Sequence, residues 1–304
     1  MVSGHSDIPA RVGVGLKPQH YRDILESKPA IGWFEVHPEN YMGEGGAPLA
    51  RLERIREQYP LSLHSVGLSV GGSGDLDGGH LNRLAAVIER YEPGLVSEHL
   101  AWSTHQGHYF NDLLAVPYTR ETLAMVCDHI DQVQNRLGRH ILLENPATYI
   151  TFENSTFDEI DFISAITRQT DCTLLLDVNN VYVSCINHGE QAEDYIDRFP
   201  VDRVREIHLA GHAEDVNEHG ERFLIDAHDR PVADAVWDLY ARLLERTGSV
   251  PTLIEWDNDI PDWQGLYNEA MRATAVMERI TGATGVTDVT GATGADGTEK
   301  SNVA

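Results

Sequence analysis

The sequence predicts a TIM-type (β/α)8 barrel, and three observations predict it. Eight short apolar runs are spread between residues 12 and 255. Most are near-continuous rather than alternating, which suits strands covered on both faces, as in a parallel sheet. Helical patterns separate them, and that alternation over about 270 residues matches the size of a single barrel. An open doubly wound sheet is the competing architecture, but no G-x-G-x-x-G follows the first run, so its dinucleotide-binding version lacks a signature.

The predicted strands are, in order, 12–16, 31–37, 61–64, 94–99, 140–144, 173–178, 204–209 and 251–255. Between the third and fourth, LNRLAAVIERY (81–91) carries apolar residues at helical spacing. TRETLAMVCDHIDQVQNRLG opens on Thr119, a suitable N-cap, and stops at Gly138, whose freedom at positive φ ends helices well. TFDE (156–159) reads as a capping box for a helix continuing through Ile166, with Thr156 as the cap. ADAVWDLYARLLERTG (233–248) closes on Gly248 in the same manner as its predecessor. SVGGSGDLDGG (69–79) lacks the lysine and serine of a phosphate-binding loop, so a flexible, substrate-covering loop is expected there. Residues 1–280 are expected to form the barrel domain. After Ile280 the chain becomes a near-repeat of Thr, Gly, Ala and Asp (281–304), which has little to bury and is expected to be a disordered tail.

Composition narrows the function. No apolar run is long enough to span a membrane, and the N-terminus has no signal-peptide pattern, so a cytoplasmic protein is expected. The three cysteines, Cys127, Cys172 and Cys185, are isolated and form no C-x-x-C pair. They read as small buried apolar residues rather than a disulfide framework or a catalytic thiol. A net charge of −25 repels a phosphate backbone and argues against nucleic-acid binding. An acidic surface with three lysines also suits salt adaptation, where screening would weaken that repulsion.

The chemistry lies at the ends of the strands. The third to eighth predicted strands finish at His64, His99, Glu144, Asp177, His208 and Glu255. In a barrel of this kind the C-terminal strand ends form one mouth, where active sites sit. One such residue alone is more often a hydrogen-bonded structural group. Six together at one mouth carry a large burial cost unless they share cations, so metal binding is the better reading. FLIDAHD adds Asp226 and His228 at i and i+2, pointing the same way in extended backbone. Asn180 offers a neutral oxygen, and His212 is either a ligand or a group that orients one. Imidazole and carboxylate ligands suit iron, zinc or manganese without choosing among them. So many ligands fit two or three ions bridged by a carboxylate, with Glu144 in the bridging place. Glu144, Asp177 and His212 are the candidate catalytic residues. Glu35, His37 and Asn40, from FEVHPENYM, are expected to orient substrate or support the ligands. His105 and His108 are expected to line the pocket, and Trp102 and Trp256 stand beside ligand positions; His129 and His140 are expected to be structural.

FEVHPENYM, LHSVGLSVGG, SEHLAWS, LLENPATY, LLLDVNNVYVS, EIHLAGH and LIEWDNDIP together resemble the DUF692 (UPF0276) family of multinuclear non-heme iron-dependent oxidative enzymes, over roughly residues 10–275. The ligand order is also similar to that of the endonuclease IV superfamily, a trinuclear zinc barrel. The resemblance implies that His64 and His99 hold a first ion, bridged by Glu144 to a second that Asp177, His208 and Glu255 complete. Asp226 and His228, with Asn180, would hold a third. Asn180 stands where the endonuclease has a histidine, a departure that speaks against a trinuclear zinc hydrolase.

The resemblance further implies a substrate and a partner. Its members modify cysteines of ribosomally made precursor peptides with dioxygen and a mixed-valence iron pair, commonly with a partner protein that recognises the leader. The expected product is an oxidised heterocycle or a rearranged peptide. A substrate thiolate would complete a site built only of nitrogen and oxygen donors. The competing enzyme reading is a zinc- or manganese-dependent hydrolase or sugar isomerase on the same barrel. A DNA-acting enzyme wants basic strips to grip phosphates, and the sequence has none. An isomerase wants a lysine or further histidine for proton transfer. Only Lys17 and Lys28 precede the tail, although His37 could substitute. A non-catalytic metal- or peptide-binding module is the third reading.

Overall fold

The computed structural model describes residues 8–217 and 219–282. The strands are β1 (Val12–Gly15), β2 (Phe34–Val36), β3 (Leu61–Ser65), β4 (Leu95–His99), β5 (Trp102–His105), β6 (His108–Leu114), β7 (Leu142–Glu144), β8 (Thr173–Asp177), β9 (Val204–Leu209), β10 (Ala213–Val216), β11 (Arg222–Ile225) and β12 (Thr252–Ile254). The helices are α1 (Tyr21–Ser27), α2 (Ala47–Arg56), α3 (Gly78–Tyr91), α4 (Arg120–Leu137), α5 (Glu159–Thr170), α6 (Val178–His188), α7 (Ala192–Arg198), α8 (Asp234–Thr247) and α9 (Trp263–Thr281). Eight strands close into a barrel in the order β1-β12-β9-β8-β7-β4-β3-β2, every neighbouring pair parallel. These are the eight predicted runs. The other four strands pair as two antiparallel hairpins, β5–β6 and β10–β11, inserted after β4 and β9.

Burial explains why the runs look continuous. Leu63, Val96, Leu143, Leu174, Leu176, Ile207, Leu209 and Ile254 are almost wholly covered, by the barrel interior on one face and the helices on the other. Helix starts follow local capping chemistry. The side chains of Asp77, Thr119, Asp158, Asp177 and Asp262 each accept a backbone N–H of the first turn, satisfying donors that the helix leaves orphaned.

Three expectations are corrected here. Thr156 is not a cap: its amide and that of Phe157 both donate to the Tyr118 carbonyl, which keeps both outside the helix, and Asp158 caps α5 instead. Val178 is not the end of a strand but the first residue of α6, because Asp177 turns the chain directly from β8 into the helix. The glycine-rich stretch is anchored rather than flexible at its start. Ser69 accepts the amides of Ser103 and Thr104 through its hydroxyl, Gly71 donates to the Ala101 carbonyl, and Val70 is fully buried. A Cβ at Gly71 would lie 2.6 Å from Val116 Cγ1. The predicted tail lies almost entirely outside the described residues; α9 runs to Thr281.

Candidate metal centre

The mouth of the barrel gathers the strand-end residues in three overlapping groups. His64 closes β3 and His99 closes β4. Their Nε2 atoms are 3.1 Å apart, and each is 3.2 Å from Glu144 Oε2 at the end of β7. Ligand atoms held about 2.1 Å from one ion lie about 3.0–3.4 Å from one another, so this triangle has the size of a coordination shell. Neighbouring side chains fix both rings. Ser97 Oγ donates to the Leu63 carbonyl and sits 2.7 Å from His64 Nδ1. Glu98 Oε1 accepts the His99 amide and lies 3.2 Å from His99 Nδ1, while its Oε2 accepts the Leu68 amide. With Nδ1 of each ring engaged by these neighbours, each Nε2 is the nitrogen turned to Glu144, free to serve as a ligand once its proton is displaced.

The second group lies deepest in the mouth. His208 and Asp177 have no exposed surface. Asp177 Oδ1 accepts the Asn180 amide as the α6 cap, which leaves Oδ2 buried and without a partner. His208 Nδ1 is 3.2 Å from Glu255 Oε2. The atoms of Glu144, Asp177 and His208 lie within 4.8 Å of one another, as do those of His64, His208 and Glu255. Asn145 holds Asp177 in place by accepting its amide and donating to its carbonyl, both at 3.0 Å.

The third group comes from the loop after β11. His228 Nε2 is 2.6 Å from Asp226 Oδ1, and His228 Nδ1 is 3.5 Å from Glu255 Oε2. Glu255 Oε2 thus stands between two histidines, as Glu144 Oε2 does between His64 and His99. His228 adopts φ 47°, a left-handed conformation uncommon outside glycine. Its amide donates to Gly211, and its carbonyl accepts from Asp257 and Asn258. The loop packs so closely on Gly211 that a Cβ there would lie 2.7 Å from the Pro231 carbonyl oxygen. Asn180 Nδ2 donates to the Asn145 carbonyl, leaving Oδ1 buried and unpartnered.

Protonation of the metal-free chain follows from this crowding. Burial pushes Glu144 up to about 8, partly offset by His99 and His208, and pushes Asp177 up to about 7, reinforced by Asp226. Burial opposes charge on His99, but Glu144 and Glu98 outweigh it and lift the ring to about 9. For Glu255 the imidazoles of His228 and His208 outweigh burial and draw it down to about 2. Burial among other histidines holds His64 well below the usual imidazole range.

Glu144 Oε2, Asp177 Oδ2, Asn180 Oδ1 and His208 Nε2 are buried without a hydrogen-bond partner, and His228 Nε2 has Asp226 beside it. Orphans at this density are costly in a folded chain, and cations would satisfy the oxygens while the nitrogens and carboxylates complete the shell. The donor set therefore fits metal ions.

The remaining candidates fall around this centre. His37 Nδ1 is 3.0 Å from the His64 carbonyl, and His37 and Asn40 line a mouth cavity of roughly 460 Å3 with His64, Glu144 and His228. Glu35 sits deeper, 3.4 Å from His208 Nε2. His212 is set behind the ligands: its Nδ1 meets Asn179 Oδ1 at 2.8 Å, and Asn179 Nδ2 donates to Asp226 Oδ1 at 2.7 Å. That geometry supports Asp226 through Asn179. His105 and His108 do not line the pocket; they are exposed at the tip of the β5–β6 hairpin, while Tyr109, Asn111 and Leu113 face the cavity. His129 is buried against the Val70 carbonyl.

Several contributors escaped the sequence reading. Glu206 precedes His208 by two and shares its inward face; Glu98 adjoins His99; Asn145 follows Glu144. The i, i±1 and i±2 neighbours of the strand-end donors were the available signal. Lys17 belongs to no motif, yet it pairs with Asp257, whose other oxygen is 3.8 Å from His37 Nε2.

Comparison with known proteins identifies relatives of the whole barrel. The profile of a family described as "RiPP precursor modification enzyme MbnB/TglH/ChrH" matches residues 11–278. A UPF0276 protein of Rhizobium meliloti (strain 1021) is 54% identical over 268 residues, covering 88% of this chain and 87% of its own. One from Bordetella pertussis (strain Tohama I) is 52% identical over 272 residues, covering 90% and 94%. Among solved structures, endonuclease IV from Thermus thermophilus superposes with TM-score 0.57 at 17% identity, over 88% of this chain and 99% of that one. A D-psicose 3-epimerase does so with TM-score 0.57 at 12% identity, over 90% and 100%. At such identities the likeness is one of fold.

Proposed function

Because the chain belongs to the family of RiPP precursor modification enzymes MbnB/TglH/ChrH, we propose that it is a multinuclear non-heme iron enzyme that uses dioxygen to oxidise cysteine residues of a ribosomally synthesised precursor peptide, presented with the help of a leader-binding partner protein. The observation that carries this reading is the convergence of buried nitrogen and oxygen donors, several unpartnered, around a cavity to which the chain contributes no thiol. Cys127, Cys172 and Cys185 are buried elsewhere, and burial pushes their thiols up to about 11, 11 and 12. The soft ligand such a site lacks is what a cysteine substrate brings.

In this reading His64, His99 and Glu144 hold one ion; Glu144, Asp177, His208 and Glu255 hold a second; Asp226 and His228, with Asn180 Oδ1, hold a third. When bound, the ions supply Lewis acidity toward the thiol sulfur and electrons for dioxygen. The chain's own residues do the rest. Ser97 and Glu98 keep Nε2 of His64 and His99 turned inward. His212 and Asn179 orient Asp226. His37, locked at Nδ1 by the His64 carbonyl, holds Nε2 3.8 Å from Asp257 at the mouth, where as an imidazolium it would favour an arriving thiol in its thiolate form. Asp257 outweighs the opposing effect of burial and raises this imidazole to about 8, close to the range of a free thiol. Tyr109 and Tyr149 wall the cavity.

Anaerobic purification followed by metal analysis tests the reading. Two to three equivalents of iron, with a new visible absorption band when a cysteine peptide is added, are expected. Stoichiometric zinc with no band on thiol addition would discard the oxidase in favour of a hydrolase or isomerase.

A further inference from the structure

A second layer of acidic groups lies beneath His208, on the side away from the cavity. Glu206 and His208 share the inward face of β9, two residues apart. Glu206 has no exposed surface, and Glu35 of β2 is buried beside it. Glu206 Oε2 accepts the Ser62 hydroxyl at 3.1 Å. Its Oε1 has no hydrogen-bond partner, nor do Glu35 Oε2 and His208 Nε2. The three atoms face one another: His208 Nε2 is 3.4 Å from Glu35 Oε2 and 3.6 Å from Glu206 Oε1. The opposite ring nitrogen, Nδ1, is the one turned to Glu255.

An imidazole with one nitrogen toward a ligand set and the other toward a carboxylate has its tautomer decided by that carboxylate. We propose that Glu206 is the positioning residue of His208: it holds the Nε2 proton, with Glu35 as the second acceptor, and so keeps the Nδ1 lone pair aimed at the space shared with Glu255, Asp177 and Glu144. Ser62 in turn holds Glu206. One serine hydroxyl does not offset the burial of a carboxylate, and without a further task Glu206 would be a standing cost. This inference rests on the reading that His208 is a ligand through Nδ1.

The experiment is an anaerobic competition titration of the full chain with Fe(II), and separately with Zn(II), against a chromophoric chelator. Wild type, E206Q and S62A are compared. E206Q should lose about 10- to 100-fold in affinity for one equivalent, with the other equivalents unchanged, and S62A should lose a smaller factor in the same equivalent. The metal-free thermal midpoint of E206Q should equal or exceed that of wild type, because an ionisable group has left the interior; a merely structural Glu206 would lower it. Nitrogen-15 histidine spectra of the zinc form should show His208 protonated at Nε2 alone in wild type and a mixture in E206Q. Wild-type affinity in both variants, or a His208 protonated at Nδ1 in wild type, would overturn the proposal. Should wild type bind fewer than two equivalents, the reading of the metal centre fails first, which separates the two failures.

Discussion

Glu144 and Glu159 are two carboxylates that the same force pushes upward, and they serve different ends. Desolvation is the leading influence on both. Around Glu159, at the start of α5, the hydroxyls of Tyr118 and Tyr195 each donate to one oxygen. Its cluster is closed: each carboxylate oxygen has a proton donor. Glu144 sets Oε2 3.2 Å from two imidazole nitrogens and forms no hydrogen bond there. Burial of an acid does not mark a reactive centre. An acid buried with an oxygen left open does, because without a cation the fold must keep a proton on that acid or carry its desolvated charge, and a cation resolves that conflict.

The contrast can be broken in graded ways. The largest effect is expected from Glu144→Ala, which removes the carboxylate that would be shared by two ions in the proposed centre. Metal content should fall by at least one equivalent and thiol-dependent oxygen consumption should vanish; retained consumption would take Glu144 out of the bridge. Gly211→Ala should come next. The added methyl meets the backbone that carries Asp226 and His228, at a cost of roughly 1–3 kcal/mol of stability, and it should weaken one metal equivalent while leaving the pair at Glu144 intact.

Asn179→Ala should lower the affinity of that same equivalent about 10-fold or more, through loss of the group that orients Asp226. An unchanged isotherm would detach His212 and Asn179 from the centre. Smallest at the metal centre is Tyr195→Phe. It strips a donor from Glu159, costing roughly 1–2 kcal/mol, and metal content should not change. If it did, the two clusters would be coupled and the distinction between them false.

Acidity sharpens the comparison further. Without metal, Glu144 and Asp177 keep protons to about 8 and about 7, far above their values in an unfolded chain. The native state then binds more protons than the unfolded one, so metal-free stability should fall as pH rises through 7 and 8. Metal displaces those protons. The rise in thermal midpoint on adding metal should therefore grow from pH 6 to pH 9, and a flat difference would mean these carboxylates are not ligands.

The positions that could be read along the chain are those whose meaning is local or repeated. Apolar runs separated by helical periodicity announced the closed parallel barrel, and parallel closure places all strand ends on one rim, so His64, His99, Glu144, Asp177, His208 and Glu255 could be grouped before any contact was seen. Thr119 and Gly138 bounded α4 for the same reason: capping is settled within a few residues. Where two local solutions competed, at Thr156 and Asp158, a distant carbonyl of Tyr118 chose between them.

Other features had no local sign. Glu206 and Glu35 meet beneath His208 only because β2, β3 and β9 bring their inward faces together across the barrel interior. Lys17 reaches Asp257 across 240 residues of chain. The amide of Asn179 finds Asp226, and Glu255 lies between His208 and His228, through the stagger of strands and the seat of one loop on Gly211. Residue order specifies which side each donor faces, since backbone periodicity is short-ranged. Which atoms meet, and at what distance, is a property of barrel closure, which sums the register of every strand around the ring.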